Sequence, residues 1–394
     1  MGGSFSTPVT GRRLLAAAFV VAAALVAARA SAGATANPKF RPSWQTNGRV
    51  SAVVVDGDTI YVGGSFSAVR PPGFDGSWEP RASLAAFDAR TGAVLPWNPQ
   101  ADGDVLALAV RQSSGDTGSL VYAGGAFSHV DGQSAHRLAV LDSVSGAPLD
   151  GFSATTNLKV KALAVTTTRL YVGGSFTSVN GVERAHLAAL DPLTGSLDPD
   201  FMAQANADVR TLLAAPRRLV VGGDFTALNG STQQQHLAVL DPASGTPLPW
   251  LKHPAYSIWD VTFSGRRLVA AEDGPGGFVL AFGASGRRLW ARHADGGVQA
   301  VAQAGPGKVA VGGHFQHVCP VRRRAGTVCH KLSRQKLFSI DVVSGHITDW
   351  NPQLDSRLGV FALDSSTSAL AAGGDFSHVH QQLQRGFARF RLGP

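Results

Sequence analysis

Cysteine is nearly absent: the 394 residues contain two, Cys319 and Cys329, and with His330 as the one further ligand close by they fall short of a tetrahedral zinc site. Nucleophile elbows of the Gly-x-Ser-x-Gly kind, His-Glu-x-x-His pairs and phosphate-cradling glycine loops ahead of a helix are missing too. So is any apolar period long enough for a helix that would carry such a loop. Outside one loop a concentrated basic face is also lacking, so nucleic acid is not an expected partner. Carboxylate pairs of the glycosidase type stay open, because they meet in space rather than in sequence.

What is present begins with Arg12 and Arg13, an unbroken apolar run from Leu14 to Ala28, and Ala-x-Ala cleavage options at Ala30-Ser31-Ala32 and Ala34-Thr35-Ala36. The run is short for a bilayer and polar sequence follows at once. Residues 1–36 are therefore expected to be a secretory signal peptide, with an uncleaved anchor as the rival. Leu14 and Leu15 after the paired arginines fit twin-arginine export only loosely. Cleavage removes Arg12, Arg13 and Arg29 and no acid, so the formal charge falls from +8 to +5. This mildly basic balance favours anionic surfaces. Residues 37–394 are expected to work as a monomer outside the cytoplasm, secreted or at the cell surface, with no membrane span after cleavage. In that compartment the close pair Cys319 and Cys329 reads as a disulfide, worth about 2–3 kcal/mol on a chain-entropy model.

The dominant feature is a phrase, apolar-apolar-Gly-Gly-x-Phe. It recurs at Gly63–Phe66, Gly124–Phe127, Gly173–Phe176, Gly222–Phe225, Gly312–Phe315 and Gly373–Phe376, with a decayed copy at Ala271-Glu272-Asp273-Gly274. A period of roughly 50 residues, holding four short apolar runs parted by turn residues, is the pattern of a β-propeller blade. In the third unit, Val160–Val165 is expected as the innermost strand and Leu170–Gly174 as the second, its glycines marking a bulge or a close backbone approach. Leu187–Asp191 is expected as the third. An Asp-x-x-Thr/Ser-Gly phrase follows, starting at Asp88, Asp142, Asp191, Asp241 and Asp341 in the units that have it. Its Asp is expected to cap turn amides and its Gly to take positive φ, a structural role rather than a catalytic one.

A large aromatic comes after each turn, at Trp97, Phe152, Phe201, Trp250, Trp290 and Trp350, and the period marks these for packing between blades rather than for stacking on sugar. One more is needed, and Trp44 supplies it from the N-terminal side. The chain ends on Phe387–Leu392, a third strand with nothing after it. The expected fold is all-β: a seven-bladed β-propeller with four-stranded antiparallel blades, the ring closed by the N-terminal strand pairing into the last blade. The histidines just before third strands, His136, His186 and His236, are expected to be exposed polar residues.

The runs Leu-Tyr-Val-Gly-Gly-Ser-Phe-Thr-Ser-Val-Asn-Gly at 170–181 and Leu-Ala-Ala-Leu-Asp-Pro-Leu-Thr-Gly-Ser-Leu-Asp-Pro-Asp-Phe at 187–201 resemble the delta-60 repeat β-propellers of exported bacterial proteins. The likeness extends over nearly all of the chain after residue 36 and is weakest in the fifth unit. It implies a secreted or surface propeller from a family without a settled activity, and it brings no catalytic residues. Quinoprotein propellers also carry Ala-Leu-Asp-x-x-Thr-Gly with a following Trp. This chain lacks their adjacent cysteines and calcium-binding cluster, so quinone-dependent dehydrogenation is not expected.

Two departures from the repeat are candidate sites. The x of Gly-Gly-x-Phe is Ser65, Ala126 and Ser175 in the first three units but Asp224, Asp273, His314 and Asp375 in the last four. Equivalent positions stand at similar heights around a ring, so these four mark an acidic arc suited to a cation or an amine; the plainer reading has each cap its own bend. No cofactor is expected, and a bound cation such as calcium is the alternative, with no dedicated motif behind it. The second departure is the long insertion between Phe315 and Leu337. There Arg322, Arg323, Arg324 and Lys331 surround the two cysteines, and clustered guanidinium groups on a stapled loop suit anionic polymers. A solvated loop is the plainer reading. The functional expectation is an exported, non-catalytic binding module for a cell-surface polymer or protein. Its alternative is a glycan-directed hydrolase or lyase with its site at the mouth of the central channel.

Overall fold

A computed structural model describes residues 1–2, 37–112, 118–250, 253–320 and 331–393. Apart from Met1 and Gly2, the expected leader thus lies outside the described residues, and Thr35–Pro394 is a compact unit by itself. Among the described residues every regular element is a strand. None of them forms a helix long and apolar enough to cross a membrane.

Each repeat folds as an antiparallel meander. In the third, Val160–Val165 pairs with Leu170–Gly174, which pairs with Leu187–Leu190. Near-continuous apolar character, with β-branched residues, suits strands covered on both faces. The corresponding first strands are Arg49–Asp56, Val105–Arg111, Val160–Val165, Val209–Ala215, Ile258–Ser264, Val298–Gln303 and Val360–Ser365. Each packs against the first strand of the next repeat, and Val360–Ser365 packs against Arg49–Asp56.

The paired glycines serve two separate needs. A Cβ on Gly173 would stand 2.5 Å from Val209 Cγ1 of the next repeat, whereas one on Gly174 would stand 2.2 Å from the backbone oxygen of Lys159. The register slips here, between Val160 and Ala162. The same slip recurs in all the first strands. Bulge and close approach therefore both occur, one at each glycine.

Four hydrogen-bonded strands are present in two repeats. In the fifth, Arg288–Ala294 pairs with Gly277–Phe282, and in the last, Lys39–Arg41 pairs with Phe387–Arg391. Elsewhere the fourth strand shrinks to single bridges: Phe87↔Val94, Leu141↔Pro148, Leu190↔Leu197, Leu240↔Pro247 and Ile340↔Ile347. This corrects the expectation of four full strands throughout. Pro96, Pro148, Pro199 and Pro247 stand at or just after four of these bridges and have no N–H to extend a ladder, while Arg288–Ala294 contains no proline. The short pairing at Ile347 has no such explanation. The fifth sheet also continues through Ala294↔Val318 into the hairpin His317–Val318 and Leu332–Ser333.

The core lies between sheets. One cluster joins Tyr171, Leu187 and Phe201 to Val209, Leu219 and Phe225. Another joins Val50, Ile60 and Phe87 of the first repeat to Ala369, Ala371 and Phe387 of the last. Covering such side chains contributes about 1.5–3 kcal/mol each. The post-turn aromatics pack as expected: Trp97 is 2% exposed, lies edge-on to Tyr61 at 5.0 Å, and donates Nε1–H to the Asp142 carbonyl of the next repeat at 2.9 Å. Trp44 is half-buried against the first-to-last cluster, just beyond the strand Lys39–Arg41 rather than within it.

The turn aspartates are caps. Asp191 Oδ1 accepts from the N–H of Leu193 (2.9 Å) and Thr194 (2.7 Å) and from the Thr194 hydroxyl (3.0 Å), and Gly195 takes φ 76°. Asp88, Asp142, Asp241 and Asp341 make the same set of bonds.

Candidate functional site

The four variable positions of the glycine phrase stand where their strands leave the sheets, and their polar atoms meet nearby partners. Asp224 Oδ1 accepts from Arg210 Nε at 2.7 Å and from the Ser257 hydroxyl. Burial opposes its ionisation, but those two bonds together with the charges of Arg210 and Lys161 outweigh burial and hold the carboxyl below the usual carboxylate range. Asp273 donates its backbone N–H to Ser257 O at 2.9 Å. His314 Nε2 accepts from Gly297 N at 3.0 Å, and the His314 carbonyl accepts from Lys336 Nζ at 2.9 Å. Asp375 accepts from the Ser356 hydroxyl, from Gly359 N at 3.1 Å and from Leu358 N at 3.2 Å. Asp224 and Asp273 thus share Ser257, and Asp375 is served by its own approach segment. Among the described residues no three His, Cys, Asp or Glu side chains gather as a metal-holding group.

In the sixth-repeat insertion, Arg322, Arg323, Arg324 and Cys329 lie outside the described residues, and with them the expected disulfide pairing. Cys319 is 4% exposed and donates its N–H to His293 O at 2.8 Å. Lys331 is exposed. Arg334 and Lys336 are committed inward, Arg334 to Thr348 O at 2.8 Å and Lys336 to His314 O, and burial lowers the pKa of both.

A further set of polar residues escapes a reading by motif. Asn157 Oδ1 accepts from the N–H of Thr177 (2.9 Å) and Ser178 (3.1 Å), just after the phenylalanine of the phrase, and its Nδ2 donates to Thr177 Oγ1 at 2.8 Å. Asn47 and Asn206 do the same in the first and fourth repeats. In the second, sixth and seventh repeats that place holds Asp102, Asp295 or Asp355. Each pins the same two amides and also reaches a histidine Nδ1: His129 at 2.9 Å, His317 at 2.7 Å and His378 at 2.7 Å. Asp occurs where the chain reads Phe-x-His and Asn where it does not. That correlation is the signal a motif search misses. Burial works against ionisation of Asp355, yet the bonds from His378 and Ser377 hold it down to about 2.

Two carboxyls in the central channel also go unnoticed in the sequence. The first strands surround a cavity of about 400 Å³ whose wall includes Asp260 and Asp364. Both side chains are half-buried at the channel wall, and the protein around them raises Asp260 to about 7 and Asp364 to about 6 against the N–H donors that favour their ionised forms.

Residues 169–201, from the second strand of the third repeat to its aromatic, match the family model described as "Domain of unknown function (DUF5122) beta-propeller". No curated protein matches the chain. Among solved structures, the RRP9 WD40 repeats share 16% identity at a TM-score of 0.61, over 91% of this chain and 100% of that one. U3-55K shares 15% at 0.59, over 90% and 98%. The computationally designed Ika8 protein shares 15% at 0.53, over 90% and 99%. At such identities the likeness is one of fold. With its all-strand repeats packed sheet on sheet and these likenesses, the chain is a β-propeller.

Proposed function

We propose that the chain is an exported, seven-bladed propeller of the delta-60 repeat kind, acting as a non-catalytic binding module for a cell-surface polymer or protein. The β-propeller fold suggests a protein-interaction module in general. The observation that carries the reading is the placing of the hairpins. Every repeat but the fifth sends one out at the Gly-Gly end of its second strand, as with Ser178–Val179 and Val182–Glu183, so that loops free to vary gather at one end of the repeats. The blade count is supported by the succession of first strands, and closure by the pairing of Lys39–Arg41 with Phe387–Arg391. Export is supported by the apolar run at 14–28.

Contact is assigned to the insertion, through Arg322, Arg323, Arg324 and Lys331. Asp224, Asp273, His314 and Asp375 are a second contact, for a cation or an amine. The test is binding of the full chain to anionic and neutral surface polysaccharides. Reversal of Arg322, Arg323 and Arg324 to Glu is expected to weaken the anionic interaction at least about tenfold. Unchanged binding removes the insertion from the reading. Polysaccharide turnover that disappears in an Asp224→Ala, Asp375→Ala double variant overturns the non-catalytic assignment.

A further inference from the structure

The register slip passes over one residue in each first strand: Ser51, Leu106, Lys161 and Arg210 in the first four repeats, then Trp259, Gln299 and Phe361. All of them stand in the wall of the central cavity of about 400 Å³, at the end where the first strand meets the glycine phrase. A bulge takes its extra residue out of the ladder. The residue before it is fully buried, Val in every repeat but the fifth, which has Ile258. The bulge residues themselves vary freely in chemistry. Lys161 pairs with Asp208, and Arg210 donates Nε–H to Asp224 at 2.7 Å while its Cζ lies 4.4 Å from the centre of the Trp259 ring, a stack that holds the indole in place. Beside the ring, Asp260 and Asp364 accept backbone N–H groups. Gln299 is different: it is 8% exposed, and neither its Oε1 nor the neighbouring repeat's Trp259 Nε1 has a hydrogen-bond partner among the described residues. Buried polar groups are otherwise almost always paired.

We propose that Trp259, Gln299 and Phe361, contributed by three successive repeats, form a binding site for a neutral saccharide at the mouth of the central channel, separate from the insertion at 319–336. The cavity has the size of a small-molecule site, and its wall combines aromatic surface with a few polar groups, as such sites do. The cations of the ring are each matched by an aspartate, so the ring holds no unpaired charge for an ionic ligand to neutralise. What it does hold is an amide, able to donate and accept, set between two aromatic side chains, with an indole N–H beside it. A sugar ring carries apolar C–H faces and a rim of hydroxyls that both donate and accept. It covers the aromatic surface and pairs the amide and the indole in a single placement.

The test is calorimetric titration of the full chain with neutral hexasaccharides of glucose, mannose, galactose and N-acetylglucosamine, each beside its monosaccharide. At least one hexasaccharide is expected to bind, and Trp259→Leu and Gln299→Ser are each expected to weaken it at least about tenfold. Leu106 and Ser51 already occupy the same place in the second and first repeats, so both substitutions suit the fold. Reversal of Arg322, Arg323 and Arg324 to Glu is expected to leave this binding unchanged, which separates the site from the insertion. A hexasaccharide tighter than its monosaccharide assigns the end of a sugar chain, and equal affinity assigns a free sugar. Binding by none of the panel, binding that survives both substitutions, or binding lost on reversal of the loop arginines overturns the proposal. A diazirine-bearing form of the bound saccharide gives a readout on the wild type alone: labels are expected within Ile258–Ser264, Val298–Gln303 or Val360–Ser365. Labels confined to other segments overturn the site whether or not the variants fold.

Discussion

Ser83, Arg137, His186, His236, Lys336 and Gly386 each sit one residue before a third strand, and all take φ between 62° and 78°. The conformation lets the residue bridge the glycine phrase: in the third repeat His186 N donates to Phe176 O at 2.8 Å, and His186 O accepts from Gly174 N at 3.1 Å. His186 and His236 also fold their rings onto the Gly174 and Gly223 carbonyls. They are half-buried, which corrects their expected exposure; His136 is exposed. A left-handed backbone costs a non-glycine residue about 1–2 kcal/mol. Ser83→Gly is accordingly predicted to stabilise the protein by about 1 kcal/mol, seen as a higher urea midpoint with an unchanged slope. Asp355 supplies a test by pH. Its folded pKa is depressed from 3.8 to about 2, so its contribution is present above the ordinary value and lost as pH falls through the folded one. Asp355→Asn should lose less stability than the wild type on acidification across that window. Since the carboxyl is well exposed, the effect should shrink with added salt.

At the scale of elements, the glycine pair separates two kinds of crowding. Gly174→Ala meets backbone and Gly173→Ala meets the end of a valine side chain, so both should destabilise, by about 1–3 kcal/mol, with Gly174→Ala the worse. Denaturant midpoints of the two single variants settle the order. Asp191→Ala, which frees two turn amides, should cost about 1 kcal/mol by the same measurement. Strands, glycines and turn caps were legible in the sequence because each answers a backbone need that recurs at fixed spacing. The outer strand was not, because Leu197 reads as strand while Pro199 ends its ladder. Asp260 was overlooked for a related reason: it lies in an apolar run, and whether a side chain faces channel or neighbour depends on a bulge that hydropathy does not register.

For the whole molecule, the joint between first and last repeats is the least legible part, since its partners lie up to 352 positions apart, as with Lys39 and Arg391. Gln384 is fully buried; its Oε1 accepts from Ser43 N at 3.2 Å, and its Nε2 donates to Phe387 O at 2.6 Å. Arg389, 7% exposed, donates to the carbonyls of Pro42, Ala89, Arg90 and Thr91. Arg389→Ala is predicted to lower stability by about 2–4 kcal/mol, and Arg389→Lys to recover little of it, since an ammonium group does not reproduce the planar fork. Closure of the ring at this joint is tested most directly by spin labels at Lys39 and Arg391, exposed and paired across the strands. Closure predicts strong dipolar coupling between labels within about 20 Å, as neighbouring strands lie about 5 Å apart; no measurable coupling in the folded protein would contradict it.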